Sequence, residues 1–536
     1  MAANKKATGQ SEQLYLGFDF STQQLKVVCL DTSLQITAEF SINFDEDLPE
    51  YGTDGGVNKD GLTVTAPTLM WIKALDLLLE RMKAESFPFE CVVSLSGCGQ
   101  QHGSVYWRRG SEGALRGLRK EETLCTQLQD CFSVSESPVW MDDSTRSQCQ
   151  RLEHECGGGQ ILADKTGSRA YERFTGNQIA KLYENRDTND FNSTERISLV
   201  SSFAASLFRG CYANIDFSDG SGMNLFDINT KDWWDTALKS CGDNLRALLG
   251  PPVPSNTVLG NISGYFVDKY GFSPDCKVVA FTGDNPSSLA GMRLEQGDVV
   301  VSLGTSDTLF MWIEQPRPQL MGHVFVNPVD KDAYMAMLCY KNGSRTREKI
   351  RDDCGVTSWE EFNQMLDKTP PGNNGNIGIY FSEPEITPYG QGTIRMSGGD
   401  GTLCTEFPPE IEVRALVEGQ FLAKLNHATK LGYHMTRATR VLATGGASAN
   451  TNILQIIADV FNSDVYVIGG TANSACVGGA YRAKHSLMSG GSAFRDAVQE
   501  SPAYELVAKP REEAHKVYMN LLEKYAKLEE SFSAKH

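Results

Sequence analysis

Residues 14–30, LYLGFDFSTQQLKVVCL, set the pattern of the chain: Leu14, Leu16 and Phe18 alternate with Tyr15, Gly17 and Asp19, a Ser-Thr-Gln turn follows, and residues 25–30 are again β-rich. Period-two alternation on both sides of a polar turn predicts a strand, a tight turn and a second strand. QITAEFSINF supplies a third strand and makes the opening an antiparallel meander. After Pro67 the period lengthens to that of a helix, with Trp71, Leu75, Leu78 and Met82 on one stripe. A strand over residues 91–95 then runs into SGCGQQHG, and SVYW after it is again strand-like.

The same design recurs late in the chain. DVVVSLGTSDTLFMW is an apolar strand, a Gly304-Thr305-Ser306 turn and a second apolar strand. VLATGGASANTNILQIIADVF is a strand, a glycine turn and a helix with Ile453, Ile456, Ile457 and Val460 on one face. The first repeats the opening hairpin and the second pairs with the strand and glycines around Gly97, as a duplicated domain would. Between them, KNGSRTREK reads as a loop, and a helix carrying Val417, Phe421, Leu425 and Ala428 closes at Gly432. Residues 1–11 read as a disordered tail, 108–136 as an insertion or surface loop, and the charged segment 512–527 as an exposed helix.

Composition changes this picture little. At 536 residues the chain exceeds one core and should divide into two domains, three at most. With 40% apolar and 22% charged residues it has the make-up of a soluble globular protein. No apolar run is long enough to span a bilayer, and MAANKKATGQ has no signal-peptide core, so a cytoplasmic location without membrane attachment is expected. The 14 cysteines form no CxxC pair and suit reduced core thiols, which leaves the NxS/T matches at Asn192, Asn261 and Asn342 as chance. A formal charge of −17 argues against nucleic acid, though an anionic small molecule is admissible where a metal and backbone donors screen it.

Candidate chemistry sits at the breaks in the pattern. Asp19 ends a buried strand, where a bare carboxylate is costly and calls for a cation or dense donors; Ser21, Thr22 and Gln23 offer the hydroxyls and N–H groups of a phosphate-receiving turn. Taken alone, an Asp near a hairpin turn is ordinarily structural. SGCGQQHG lacks the spacing and the following helix of a dinucleotide fingerprint, so Gln100, Gln101 and His102 are read as hydrogen-bonding groups for a polyhydroxylated ligand. In GGGQILADKTG, Asp164 stands where a P-loop requires Gly. Trp140 stands beside Asp142, Asp143 and Arg146 in PVWMDDSTR. Arg173 could meet sugar hydroxyls, but an ion pair with a neighbouring Glu is its more ordinary role. IDFSDGSGMNLFDI is a hydroxyl-rich loop of the kind that lines clefts. In FTGDNPSSLAGM, Asp284 lies at a strand end beside a helix that Asn285 and Pro286 are expected to cap and open. It is either part of the cap or a general base kept ionised by the helix dipole.

GFDFSTQQLK, SGCGQQHG, PVWMDDSTR, IDFSDGSG, FTGDNPSSLAGM, SLGTSD and ATGGASAN, in this order, resemble the FGGY carbohydrate kinases over residues 14 to about 490. The GQQHG string is most similar to the members that phosphorylate xylulose. The resemblance implies an α/β fold of two ribonuclease-H-like domains of the actin/hexokinase-like type with a central cleft: residues 12–290 binding sugar and holding the first phosphate turn, residues 291–536 binding ATP. It implies transfer from Mg2+-ATP to D-xylulose, giving D-xylulose 5-phosphate, by a monomer or simple homo-oligomer. Asp19 would hold Mg2+ through water, and Asp284 would be the base. His102, Arg173, Asp284 and Asn285 resemble the sugar-binding set. Ser21, Thr22, Thr305, Trp359, Gly445, Gly446, Ala447 and Asn450 resemble the ATP site. Residues 181–185, KLYEN, depart from the family in lacking a Trp after the Lys. Another pentulose or polyol as substrate, or a non-catalytic actin-like binding protein, are the competing readings; retention of both aspartates weighs against the second.

Overall fold

The computed structural model describes residues 13–436, 438–467, 473–488 and 492–533; the expected N-terminal tail lies outside them. The first half is built on β1 (Leu14–Phe20), β2 (Gln24–Leu30), β3 (Ile36–Asn43), helix α1 (Thr68–Ala84), β4 (Val92–Gly99), β5 (Lys277–Val279) and α2 (Asp284–Gly291). β1, β2 and β3 form the antiparallel meander, and β4 lies parallel to β1 on its other side, with β5 parallel to β4. This register sets Asp19 opposite Lys26 and beside Cys98. The stripe Trp71, Leu75, Leu78 and Met82 of α1 is fully buried.

The second half repeats the plan with β6 (Val299–Leu303), β7 (Asp307–Ile313), β8 (His323–Val326), β9 (Tyr334–Tyr340), α3 (Pro409–Lys430), β10 (Arg440–Thr444), α4 (Thr451–Phe461), β11 (Asp464–Val467), α5 (Ser474–His485) and α6 (Glu512–Ser533). β6, β7 and β9 make the meander, and β10 runs parallel to β6 as β4 does to β1. The duplicated pattern of strand, polar turn and strand is therefore a duplicated sheet.

The halves are joined closely. α5 crosses back to pack on β1, β4 and α2. Where α5 meets α2, a Cβ on Gly478 would fall 1.8 Å from the Ser287 carbonyl oxygen and one on Gly291 1.9 Å from that of Ser474, so only glycine permits the crossing. Arg482 of α5, fully buried, donates to the carbonyls of Gly97 at 2.6 Å and Ala280 at 2.9 Å, and so ties α5 to the ends of the first sheet. On the other side, the β8 backbone docks onto residue 167, with Val324 N–H donating to Gly167 O at 2.8 Å.

Three local expectations are corrected. Residues 108–136 are not a loose insertion: short helices Ser111–Arg116 and Leu124–Leu128 and a strand Phe132–Val134 bury Leu115, Leu124, Leu128 and Phe132, and Asp76 caps the second helix through the Leu124 and Cys125 N–H groups. KNGSRTREK is mostly helix, Ser344–Asp353, because Arg347 turns inward to a buried bidentate pairing with Asp307. The C-terminal helix α6 is longer than its charge pattern suggested and half-buried: Tyr518, Leu521, Tyr525, Leu528 and Phe532 face the core.

Candidate active site

β1 and β4 end side by side, and α2 begins directly after the short strand Thr282–Gly283, which pairs in parallel with the end of β4 at Cys98 and Gly99. This places Asp19, Cys98 and Asp284 within electrostatic range of one another. Asp19 is 8% exposed; its carboxylate accepts from the Cys98 thiol at 3.3 Å and from the Ser21 hydroxyl, yet burial pushes its pKa up. Asp284 is the first residue of α2, capped by Gly283 and not by Asn285 as the sequence suggested. Its Oδ1 accepts the Asn285 backbone N–H at 2.8 Å and side-chain amide at 3.1 Å. The helix end does not keep it fully ionised: burial, then the charge of Asp19, raise its pKa to about 7, against the opposing N–H groups of Asn285 and Gln101. Such a carboxyl is poised to accept a proton near neutrality.

Around this pair the loop after β4 and the segment 216–224 supply hydrogen-bonding groups. His102 is buried with φ +70°, a conformation rare outside glycine. Its ring stacks on Phe174 at 4.3 Å, and Nδ1 lies 2.8 Å from Gly222 O, so Nδ1 carries the proton and Nε2 is left as an acceptor. Burial and the nearby Arg173 lower its pKa to about 3, which keeps it neutral. Asn285 bridges Asp284 to Gln101 Oε1 at 2.8 Å, while the buried Nε2 groups of Gln100 and Gln101 and Oδ1 of Asp219 have no partner among the described residues. Buried polar atoms left unmatched around Asp284 are what a polyhydroxylated ligand would satisfy. Arg173 forms no ion pair among the described residues; it donates to His323 Nε2 at 2.9 Å. The ordinary role for Arg173 is thereby set aside.

Of the nucleotide candidates, Thr305, Trp359, Gly446, Ala447 and Asn450 line a cavity of about 780 Å³ in the second half, together with Leu303, Gly304 and others, whereas Ser21, Thr22 and Gly445 are not among its lining residues. Gly445, at φ +84°, passes so close to β6 that a Cβ would meet Leu303 O at 2.6 Å. Asn450 lines the cavity while its side chain caps α4, accepting from Asn452 and Ile453 N–H at 3.1 and 3.2 Å, and donates to Asn363 at 2.8 Å. Trp359 presents a half-exposed ring, with the Arg351 guanidinium 4.9 Å from its centre. In the other turn, Ser21 faces Asp19, and the Thr22 hydroxyl accepts from Trp140 Nε1 at 2.9 Å.

Residues 123–291 match the N-terminal domain of the FGGY family of carbohydrate kinases, and residues 299–487 match its C-terminal domain. The chain belongs to the FGGY family of carbohydrate kinases. It is 57% identical over 523 residues to the xylulose kinase of Rattus norvegicus, covering 97% of each chain. It is 47% identical over 492 residues to xylulose kinase 2 of Arabidopsis thaliana, covering 89% of this chain and 88% of that one. Among solved structures, a Brucella ovis xyloylose kinase superposes with a TM-score of 0.78 at 18% identity, covering 98% of this chain and all of the other. The ligand-bound xylulose kinase of Lactobacillus acidophilus gives 0.75 at 17% identity, over 97% and 99% of the two chains. The expected FGGY fold of two α/β halves is thus the fold of this kinase. Residues 181–185, where the family's Trp is missing, end the helix Thr175–Glu184; Lys181 reaches Ser144 Oγ at 2.7 Å and Leu182 packs on the core.

Sequence reasoning missed Asp219, His323 and Asn363. Asp219 stood inside the cleft-lining loop already noted; nothing in the pattern around His323 or Asn363 separates either from an ordinary core or helix-surface residue.

Proposed function

We propose that this FGGY kinase transfers the γ-phosphoryl group of ATP to the terminal primary hydroxyl of D-xylulose, giving D-xylulose 5-phosphate and ADP. The carrying observation is Asp284, a carboxyl with a pKa near neutrality between hydroxyl-matching side chains and a phosphate-type turn. The choice of sugar is supported by the names of the near full-length relatives. Asp284 takes the hydroxyl proton as the sugar oxygen bonds to the γ-phosphorus and the bond from that phosphorus to the ADP oxygen breaks. His102 offers Nε2 to one sugar hydroxyl, and Arg173, Asn285 and the Gln100 and Gln101 amides hold others. The cavity at Thr305, Trp359 and Gly445–Asn450 takes adenosine, and the Ser21–Thr22 and Gly304–Ser306 turns face the phosphates. Residues 12–290 would then act as the sugar domain and 291–536 as the nucleotide domain, in the cytoplasm, where ATP is supplied.

The residues fit Mg2+. Asp19 is a hard oxygen donor whose pKa is raised by burial, against the Ser21 hydroxyl, the Cys98 thiol and the charge of Lys26, and Mg2+ keeps most of its waters and needs few protein ligands. When bound, it would screen the charge of the phosphates.

An ADP-release assay across D-xylulose, D-ribulose, other ketoses and polyols tests the reading. D-xylulose should show the highest kcat/KM, by at least about tenfold, as expected when buried polar groups match one hydroxyl pattern. A higher value for another sugar would overturn the substrate; no ADP release with any would overturn the activity.

A further inference from the structure

Arg173 is held in an unusual way. Arginines that must stay fixed are commonly clamped by a carboxylate, which takes two N–H groups and neutralises the charge. Here the partner is the imidazole of His323, from β8 of the second half, 3% exposed. A guanidinium has no acceptor, so Nε2 of His323 must be the bare nitrogen, and Nδ1–H donates to Ser168 Oγ at 3.0 Å. Ser168 is kept beside His323 by the backbone bond between Val324 and Gly167. The ring is also gripped by Tyr171, 4.7 Å away and edge-on, and by Phe174 at 5.3 Å, the same Phe174 on which His102 stacks. The Arg173 guanidinium lies 5.2 Å from the centre of the Tyr171 ring. The imidazole takes one N–H of the five and none of the charge, and among the described residues, with the Asp143 carboxylate within electrostatic range but not in an ion pair, the rest are left for a ligand.

We propose that His323 is a positioning residue for sugar recognition: it fixes the Arg173 guanidinium through one hydrogen bond and so aims its remaining donors at the ligand hydroxyls. The inference rests on the reading of Arg173 as a sugar contact. Because His323 stands on the second sheet and His102 on the loop after β4, it also makes the sugar site a product of both halves.

The test compares His323→Phe, which keeps the ring and removes the acceptor, with His323→Gln, whose amide oxygen can still accept, each alone and with Arg173→Ala. KM for xylulose, KM for ATP, kcat and melting temperature are measured for each. His323→Phe should raise the xylulose KM about tenfold, as loss of one hydrogen bond to a charged group does, with the ATP KM within about twofold. His323→Gln should recover most of the loss. In the Arg173→Ala background His323→Phe should add less than about twofold, since the two act as a unit. An unchanged xylulose KM in folded His323→Phe, or a full effect persisting without Arg173, overturns the positioning role and leaves Arg173 standing. An unchanged xylulose KM in Arg173→Ala overturns the Arg173 assignment and this inference together. Should His323→Phe fail to melt cooperatively, Ser168→Ala, which frees the ring to turn, is read by the same criteria.

Discussion

Two carboxylates of one cluster have been given different work by their surroundings. Asp284 carries the higher demand: burial and the Asp19 charge hold its pKa near 7, so at pH 6 most of it is protonated and unable to accept a proton. Turnover should therefore fall as pH drops through about 7, and Asp284→Ala should cost about 10² to 10⁴ in kcat with the fold intact. Asp19→Asn removes the neighbouring charge; turnover should collapse, and the acid limb of what remains should move to lower pH. An unmoved limb would mean that Asp19 is not what raises Asp284. The linkage sign is opposite to that of a salt-bridged carboxylate. The folded-state pKa lies above the unfolded value of 3.8, so between those values the native state binds the extra proton and stability falls as pH rises. Asp284→Asn should thus raise the apo melting temperature most at pH 8, by less than half as much in free-energy terms at pH 5, and hardly at all below the unfolded pKa of 3.8.

At the scale of elements, the crossing of α2 and α5 connects Asp284 to the junction of the halves. Gly478→Ala would drive a methyl into the Ser287 carbonyl and push the helices apart, at a cost of about 1 to 3 kcal/mol by overpacking. Because α2 carries Asp284 at its first residue, kcat should drop with stability, whereas Gly113→Ala, on an open surface, should change neither. A variant destabilised with kcat intact would uncouple the crossing from the site. This junction was not legible in the sequence. SACVGGAYRAKHSL shows its glycines and Arg482 but not the distant residues they meet, Ser287, Gly97 and Ala280, and close approach of two distant helices leaves no periodic trace. The hairpins around Asp19 and Thr305 were legible, because alternation and a polar turn are local properties. Arg347 and α6 were misread for one reason: each puts charged or polar groups inward, Arg347 to Asp307 and Glu529 to His427 at 2.8 Å, where hydrophobic patterning expects solvent.

For the whole molecule, the placement of the sugar groups bears on which ligand draws the halves together. His102 belongs to the loop after β4 and Asp284 to α2, both at the ends of the first sheet, while Arg173 leans on His323 of the second. The nucleotide cavity, by contrast, is lined from residue 303 onward by the second half alone. A ligand shifts a two-state equilibrium only by its differential affinity for the two states. Xylulose, reaching His102 and Arg173 at once, gains contacts when the halves approach, whereas ATP gains its adenosine contacts in either state. Saturating xylulose should therefore reduce the radius of gyration in solution scattering, ATP alone should change it little, and the ternary state should be the most compact. The same closure excludes water, so hydrolysis of ATP without sugar should be slow beside transfer. His323→Phe, by loosening Arg173 from the second sheet, should weaken the sugar-induced compaction while leaving the ATP state as it was. Compaction by ATP alone, or an equal radius in all four states, would place the closing force elsewhere.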